Sequence, residues 1–283
     1  MKWLILFWVG VFSMKASAQS SGSSLLWEIS GNGLTKPSYL YGTFHMLCAN
    51  DYTISEVIKQ KLLGTRKLYL EVDITKPGIQ QELMTQMKFT ETSLDKELGA
   101  DFQQVDQAFQ KITGISLNMF KQFKPFVSTS MLTLRTLDCP DKIQPETILS
   151  GIAKNEKIGI EGLESVADQV AAINAQPLDS QIHAFKKMVL DFDFSKKEMR
   201  ELVRVYQLNH TDSIYAYMKN QSMSNDFEQH MLIRRNRNWI PKIISAIHNT
   251  PAFFAVGAGH LGGKEGVLAL LRDKGYQLKP LAL

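Results

Sequence analysis

Predicted strands cluster at the two ends of this chain and are separated by a long region of helical pattern. The candidate strands are residues 25–30, 38–41, 67–72, 157–160, 253–256 and 276–280. Between residues 78 and 249 apolar residues mostly recur at helical spacing, interrupted by the strand at 157–160 and by breaks near Pro177, Asp193 and His210. We expect both ends of the chain to meet in one sheet. The pattern therefore predicts a single α/β domain over residues 26–283, with a central mixed sheet flanked by helices and a large helical insertion.

The first residues are typical of a secretory signal peptide. Lys2 precedes an apolar run at 3–14, and Ala-Ser-Ala follows at 16–18. The run is short for a permanent membrane span, although an uncleaved anchor is the alternative. Residues 19–24 are polar, and residues 19–25 are expected to form a flexible tail. No later stretch is apolar enough to span a membrane, so we expect an extracytoplasmic protein, either periplasmic or secreted.

Composition excludes several classes of protein. Hydrophobic residues make up 44% of the chain and charged residues 21%, which is too apolar for a disordered protein. Half of the formal net charge of +4 belongs to Lys2 and Lys15. The sequence has no basic stripe interleaved with aromatic residues, so we expect no nucleic-acid partner.

Cys48 and Cys139 are predicted either to form a disulfide or to be two buried thiols. Neither has the surroundings of an activated nucleophile. The oligomeric state is not indicated.

One tetrapeptide pattern occurs twice, each time directly after a predicted strand. The sequence GTFH occupies 42–45 and GAGH occupies 257–260. Gly42 and Gly257 permit a tight turn, and His45 and His260 follow at the strand ends, where α/β sheets bind ligands. Either histidine alone is more typical of a structural residue. Two neutral imidazoles at one sheet edge indicate a divalent transition metal.

Acidic and basic residues could complete such a site. Glu71 ends the strand at 67–72 and needs a partner if it is buried. Glu164 follows another strand end, where it could instead stabilise a helix amino terminus. Arg235, Asn236 and Trp239 lie on one helical face that we expect to point inward. Arg235 would then pair with Glu71 or Glu164, and the alternative is a solvated basic patch.

Together these motifs resemble the TraB/GumN family, which is related to the Tiki metalloproteases. The matching segments are YGTFH at 41–45, LEVD at 70–73, GLE at 162–164, Arg235-Asn236 with Trp239, and VGAGH at 256–260. The resemblance implies an α/β fold in which both Gly-x-x-His segments meet in one cleft. It implies that His45 and His260 bind a metal, with Glu71 as a further ligand or as the general base. It also implies that Arg235 orders the acids or stabilises an oxyanion, and Glu164, in the matching GLE segment, is a further candidate catalytic residue.

The leading hypothesis is a secreted metal-dependent hydrolase, peptidase-like, acting on peptides or proteins. The cofactor would be a divalent transition metal: manganese, cobalt or zinc. The alternative is a non-catalytic protein of the same fold that binds a peptide or haem. A third hypothesis is a structural envelope protein. The common hydrolase and nucleotide-binding motifs, such as Gly-x-Ser-x-Gly and the phosphate loop, do not occur in the sequence.

Overall fold

The computed structural model describes residues 23–221 and 223–283. The predicted signal peptide at 1–18 and the first part of the predicted tail lie outside the described residues. Ser24 and Leu25, which we assigned to that tail, are buried. The Ser24 hydroxyl donates a hydrogen bond to the carbonyl of Leu281 at 2.5 Å, so the ordered fold includes these two residues. Among the described residues, none of the helices has the length and apolar character needed for a membrane span.

Eight strands form one large and one small sheet. In chain order they are β1 (Leu26–Ser30), β2 (Ser38–Thr43), β3 (Leu47–Cys48), β4 (Lys67–Leu70), β5 (Lys142–Ile143), β6 (Gly159–Gly162), β7 (Ala252–Gly257) and β8 (Gln277–Leu281). The large sheet has the order β6-β4-β7-β2-β1-β8. It joins strands from both ends of the chain and is mixed, which confirms the predicted α/β architecture.

Four neighbouring strands of the large sheet run parallel. β2 pairs with β7, β7 with β4, and β4 with β6, all in parallel register. Thr43 lies opposite Gly257, and Leu70 lies opposite both Ala255 and Gly162. The carboxyl ends of these strands therefore reach one edge of the sheet together. β1 pairs antiparallel with β2 as the predicted hairpin and with β8 on its other side.

Helices cover both faces of this sheet. They are α1 (Glu56–Leu63), α2 (Ile79–Gln86), α3 (Leu94–Leu98), α4 (Phe102–Thr113), α5 (Pro125–Thr136), α6 (Pro145–Asn155), α7 (Val166–Asn174), α8 (Leu178–Leu190), α9 (Phe192–Gln207), α10 (Thr211–Gln221), α11 (Asn225–Phe227), α12 (Arg234–Asn249) and α13 (Val267–Asp273). A π-helical turn, Glu228–Ile233, leads directly into α12. Pro145 occupies the first turn of α6, a position that needs no backbone N–H donor.

The strands divide their apolar side chains between two cores. Tyr41 of β2 packs into one core with α1 and α6, whereas Leu40 packs into the other with α12 and α13. A third core lies within the helical region and combines Phe109 of α4, Leu132 of α5 and Phe185 of α8. The predicted helical insertion is therefore two chain segments, on either side of α6 and β6, that share one core.

The open question about the two cysteines is answered by a disulfide. Cys48 and Cys139 are bonded, with 5.9 Å between their Cα atoms. Cys48 ends β3, which pairs antiparallel with β5 in the small sheet. The disulfide and this sheet together hold the segment that follows His45 against the chain segment that leads into α6.

Candidate functional site

Each of the four parallel strands delivers one polar side chain to the same sheet edge. In spatial order these are Glu164 after β6, Glu71 after β4, His260 after β7 and His45 after β2. β4 ends at Leu70, slightly before the predicted end at residue 72, so Glu71 directly follows the strand. His45 Nε2 lies 3.9 Å from Glu71 Oε1, and His260 Nε2 lies 3.7 Å from the same oxygen. The two Gly-x-x-His segments therefore converge on one carboxylate.

The ring orientation of His260 is fixed by Asn236. The Asn236 amide nitrogen donates to the backbone carbonyls of His260 and Glu265, which turns its side-chain oxygen toward the imidazole. That oxygen lies 2.6 Å from His260 Nδ1 and can only accept, so Nδ1 carries the proton. Nε2 is left as an acceptor. Trp239 packs against the ring with centroids 4.5 Å apart.

Arg235 connects the buried groups of the site. Its guanidinium donates to Glu71 Oε2 at 2.5 Å and to Glu164 Oε1 at 2.6 Å. The remaining N–H groups contact Glu164, the carbonyl of Met231 and, at 3.1 Å, His260 Nε2. The side chain is only 6% exposed. A buried cation with this set of acceptors holds both acids in place, and we call this arrangement of Arg235, Glu71 and Glu164 the clamp. Its burial confirms the predicted inward face of the helix. Arg235 pairs with both of the acids that were predicted as alternative partners.

His45 is held by a residue that the sequence analysis missed. Its Nδ1 lies 2.8 Å from Oε1 of Glu146, in the first turn of α6, and the Thr43 hydroxyl donates to the same oxygen at 2.6 Å. Nε2 is thereby turned toward Glu71. Glu146 is 101 residues from His45 in sequence, and its one signal was an acid placed directly after the helix-opening Pro145.

The two motif glycines provide space in different ways. A Cβ atom on Gly257 would lie 3.2 Å from both Glu71 Oε1 and His45 Nε2, inside the site itself. The Gly257 N–H also donates to Glu71 Oε1 at 2.8 Å. A Cβ atom on Gly42 would instead lie 2.8 Å from Leu261 Cδ1 and 3.1 Å from the Ala258 backbone. Gly257 therefore leaves room for the polar groups, whereas Gly42 permits close packing of the two segments.

A cleft of about 260 Å³ opens above these groups. Its polar walls include His45, Glu71 and Glu146, and Val72 and Ile74 add apolar surface. The His45 side chain is 68% exposed at this opening, while the His260 side chain is 5% exposed behind it. The cleft gives a molecule in solution direct access to one imidazole and to the shared carboxylate.

The ionisation of the site follows from this geometry. Burial lowers the pKa of His260 to about 3, with Arg235 adding to the effect, so its imidazole is neutral at neutral pH. The ring nitrogens of His45 face Glu146 and Glu71, so they lose part of their hydration although the side chain as a whole is exposed. This loss disfavours charge on His45, but the hydrogen bond and charge of Glu146 outweigh it and raise the pKa of His45 to about 9. Burial would raise the pKa of Glu71, yet His260, Arg235 and His45 hold it well below its usual range.

The donor chemistry of these residues fits a divalent transition metal. Two imidazole nitrogens face one carboxylate oxygen, and each imidazole has its Nδ1 tied to an oxygen acceptor, as metal-bound histidines commonly do. Among the described residues, no group of three or more acids, histidines and cysteines already has metal-binding spacing. The Nε2 of His260 accepts from Arg235, so metal binding there requires this hydrogen bond to be exchanged.

The remaining four histidines lie apart from the site. We assigned these four to structural or surface roles: His183, His210 and His248 are exposed, and His230 is half-buried. The structure brings together the other predicted site residues: His45, Glu71, Glu164, Arg235, Asn236 and His260. Gly42 lies within β2 and Gly257 ends β7. Their chemical roles remain predictions.

Comparison with known proteins gives the chain a family. The profile of the TraB/PrgY/gumN family matches residues 25–280. The chain is 21% identical to the metalloprotease TIKI2 of Danio rerio, over 94% of this chain and 62% of that protein. It is 20% identical to the metalloprotease TIKI1 of the same organism, over 92% of this chain and 64% of that protein.

These similarities have defined limits. The chain spans less than two thirds of the length of both metalloproteases. No solved structure matches it. The family match covers both Gly-x-x-His segments and every side chain of the site. The chain belongs to the TraB/PrgY/gumN family.

Proposed function

We propose that the protein is a metal-dependent hydrolase that cleaves peptide bonds. The observation that carries this proposal is the convergence of two imidazole Nε2 atoms on Glu71 Oε1, at 3.9 and 3.7 Å. The similarity to two metalloproteases supports the reaction class. The open cleft beside His45 supports a substrate that enters from solution.

His45, His260 and Glu71 would hold the metal, which we propose to be manganese, cobalt or zinc. When bound, such an ion polarises a carbonyl and lowers the pKa of coordinated water. The neutral state of His260 favours binding, because a metal needs a free lone pair on nitrogen. His45 must lose a proton before it can bind the metal.

Glu71 is better suited to hold the metal than to act as general base. Its pKa is held well below the usual range, and an efficient general base has a pKa near the working pH. Its Oε2 is occupied by Arg235, and its Oε1 accepts from the Gly257 N–H. We therefore assign it the ligand role.

Arg235 is better suited to order the acids than to stabilise an oxyanion. Its N–H groups already contact Glu71, Glu164, His260 and the Met231 carbonyl, so no donor points toward a substrate. Glu164 shares this ordering role, since it accepts from Arg235 and from the Trp239 indole N–H at 3.0 Å. Asn236 keeps the His260 tautomer in the form that leaves Nε2 free of a proton.

We also propose an extracytoplasmic location. The disulfide between Cys48 and Cys139 supports it, because such bonds persist in oxidising compartments. The amino-terminal sequence supports it independently, through the basic start, the apolar run and the Ala-Ser-Ala site at 16–18.

A non-catalytic peptide-binding protein is the second candidate. The observation that favours it is that both oxygens of Glu71 already accept hydrogen bonds from the protein. Such a site is ordered without a metal and could bind a ligand through the exposed His45 alone. Peptide that is retained but never cleaved, with any metal, would favour this candidate.

The test is cleavage of a broad peptide mixture by purified protein with Mn²⁺, Co²⁺ or Zn²⁺. We expect cleavage that depends on the metal and is lost in the His45→Ala, His260→Ala double variant. His183→Ala is the matched control, because His183 is exposed on α8 and should leave cleavage unchanged. Equal activity in the double variant, or no cleavage with any metal, would contradict the hydrolase proposal.

A further inference from the structure

A second pocket adjoins the cleft of the candidate site. It has a volume of about 370 Å³, within the range of roughly 300–1,000 Å³ typical of ligand pockets. Its lining residues are mainly apolar: Met46, Leu134, Ile143 and Ile148, with Lys142, Gln144 and Thr147 at its polar edge. It lies between α5, β5 and the first turns of α6.

The pocket and the cleft share a wall. Gln144 lines both of them. His45 and Glu146 line the cleft, while the residues that follow them, Met46 and Thr147, line the pocket. The two spaces are therefore lined by neighbouring residues of the same two chain segments.

The pocket has the chemistry of an apolar subsite. The one cation on its wall, Lys142, donates its ammonium group to the Cys139 carbonyl at 2.6 Å. Leu134 is 48% exposed at the opening, whereas Met46 is 7% exposed at the base. Together the apolar side chains of the wall give a surface that favours burial of an apolar side chain.

The disulfide supports the shape of the pocket. Cys48 lies two residues after Met46, and Cys139 lies shortly before Lys142 and Ile143. The pairing of Leu47 with Ile143 closes the same wall. The pocket is thus built by a crosslinked unit that also carries His45, which keeps its position relative to the cleft constant.

We propose that this pocket binds a large apolar side chain, such as leucine or phenylalanine, of a peptide whose neighbouring backbone lies at His45 and Glu71. The proposal rests on the proposed function and adds a substrate class, peptides with a bulky apolar residue beside the scissile bond. Binding of that residue would position the adjacent carbonyl at the cleft. An acidic or basic residue at the same position would be excluded by the desolvation of its charge.

The experiment uses two blocked decapeptide mixtures that differ only in a fixed central residue, leucine or aspartate. Binding is measured on the metal-free protein from the methyl resonance of Met46, assigned with Met46→Leu. Cleavage is measured on the metal-loaded protein, with the residues flanking each cut read by mass spectrometry. The variant Leu134→Asp places a charge at the pocket opening without removing buried packing, since Leu134 is exposed. Leu190→Asp is the matched control, because Leu190 on α8 is similarly exposed.

We expect the leucine mixture to shift the Met46 resonance and to be cleaved with apolar residues enriched beside the cut. Leu134→Asp should reduce the preference for leucine over aspartate by roughly tenfold or more, and Leu190→Asp should not change it. Preferential binding of the leucine mixture without cleavage by any metal-loaded sample would contradict the hydrolase and leave the subsite supported. Cleavage without apolar preference, an unchanged preference in Leu134→Asp, or no Met46 shift with either mixture would overturn the subsite.

Discussion

The two Gly-x-x-His segments share a pattern and a position, yet they place their histidines in opposite environments. His260 is buried, neutral and fixed by Asn236, Arg235 and Trp239. His45 is exposed and held through one carboxylate, that of Glu146. The segment after β7 therefore builds the rigid back of the site, and the segment after β2 forms its accessible front. Similar sequence motifs do not imply equivalent roles, because the elements packed around them differ.

The largest expected effect comes from the clamp behind His260. Replacing Arg235 with Met would leave Glu71 and Glu164 buried without their cationic partner. We expect the free energy of unfolding to fall by about 3–5 kcal/mol, measured by urea denaturation. Arg237→Met is the matched control on the same helix, since the Arg237–Glu265 pair is exposed and should be worth less than about 1 kcal/mol. Equal losses in both variants would refute the clamp.

The histidines themselves should differ in their effect on stability. His260→Ala removes the partner of Asn236 and of one Arg235 N–H in the core and should cost about 1–3 kcal/mol. His45→Ala removes an exposed side chain and should cost less than about 1 kcal/mol. Thermal and urea unfolding of both metal-free variants measure this difference. Similar costs would mean that the two segments are equivalent after all.

Substitutions of Gly42 and Gly257 test the same difference between the two segments. Gly42→Ala pushes a methyl group against Leu261 and the Ala258 backbone, and we expect a loss of about 1–3 kcal/mol in stability. Gly257→Ala places its methyl group between Glu71 and His45, where the exposed imidazole can move aside. It should weaken metal binding more than it weakens folding. Calorimetric metal titration beside urea unfolding separates the two outcomes, and the reverse pattern would contradict the assignment.

The smallest expected effect is on the pH dependence of stability. In the metal-free protein His45 should titrate with a pKa of about 9, whereas His260, with a pKa of about 3, stays neutral. The raised pKa of His45 means that folding gains stability while the pH is below the unfolded pKa of about 6.5 and loses it as the pH rises through 9. The gain should be at most about 1 kcal/mol, because the side chain is exposed.

Imidazole NMR resonances followed across this pH range measure the titration directly. Glu146→Gln should return the His45 pKa toward 6.5, and Glu156→Gln, which alters an exposed acid at the far end of the same helix, should leave it unchanged. A His45 pKa near 6.5 in the unmodified protein would show that Glu146 does not hold its Nδ1.

Sequence patterns were sufficient for the sheet and for the buried half of the site. Strand spacing placed both chain ends in one sheet, and the helical face containing Arg235 and Trp239 predicted an inward arginine with acidic partners. Glu146 was not predicted, because its contact with His45 depends on how α6 docks against β2, which no local pattern encodes. The shared core of α4, α5 and α8 was missed for the same reason. The disulfide needed the pairing of β3 with β5 before geometry could favour it over two thiols.

The central claim is that both segments contribute to one metal site, and Co²⁺ titration of the metal-free protein tests it most directly. We expect one cobalt ion to bind per chain, with visible absorption bands from nitrogen and oxygen ligands. Binding should weaken by more than roughly tenfold in His45→Ala and in His260→Ala alike, although only the second is destabilised. Absence of stoichiometric binding, or binding that either single variant retains unchanged, would contradict the claim.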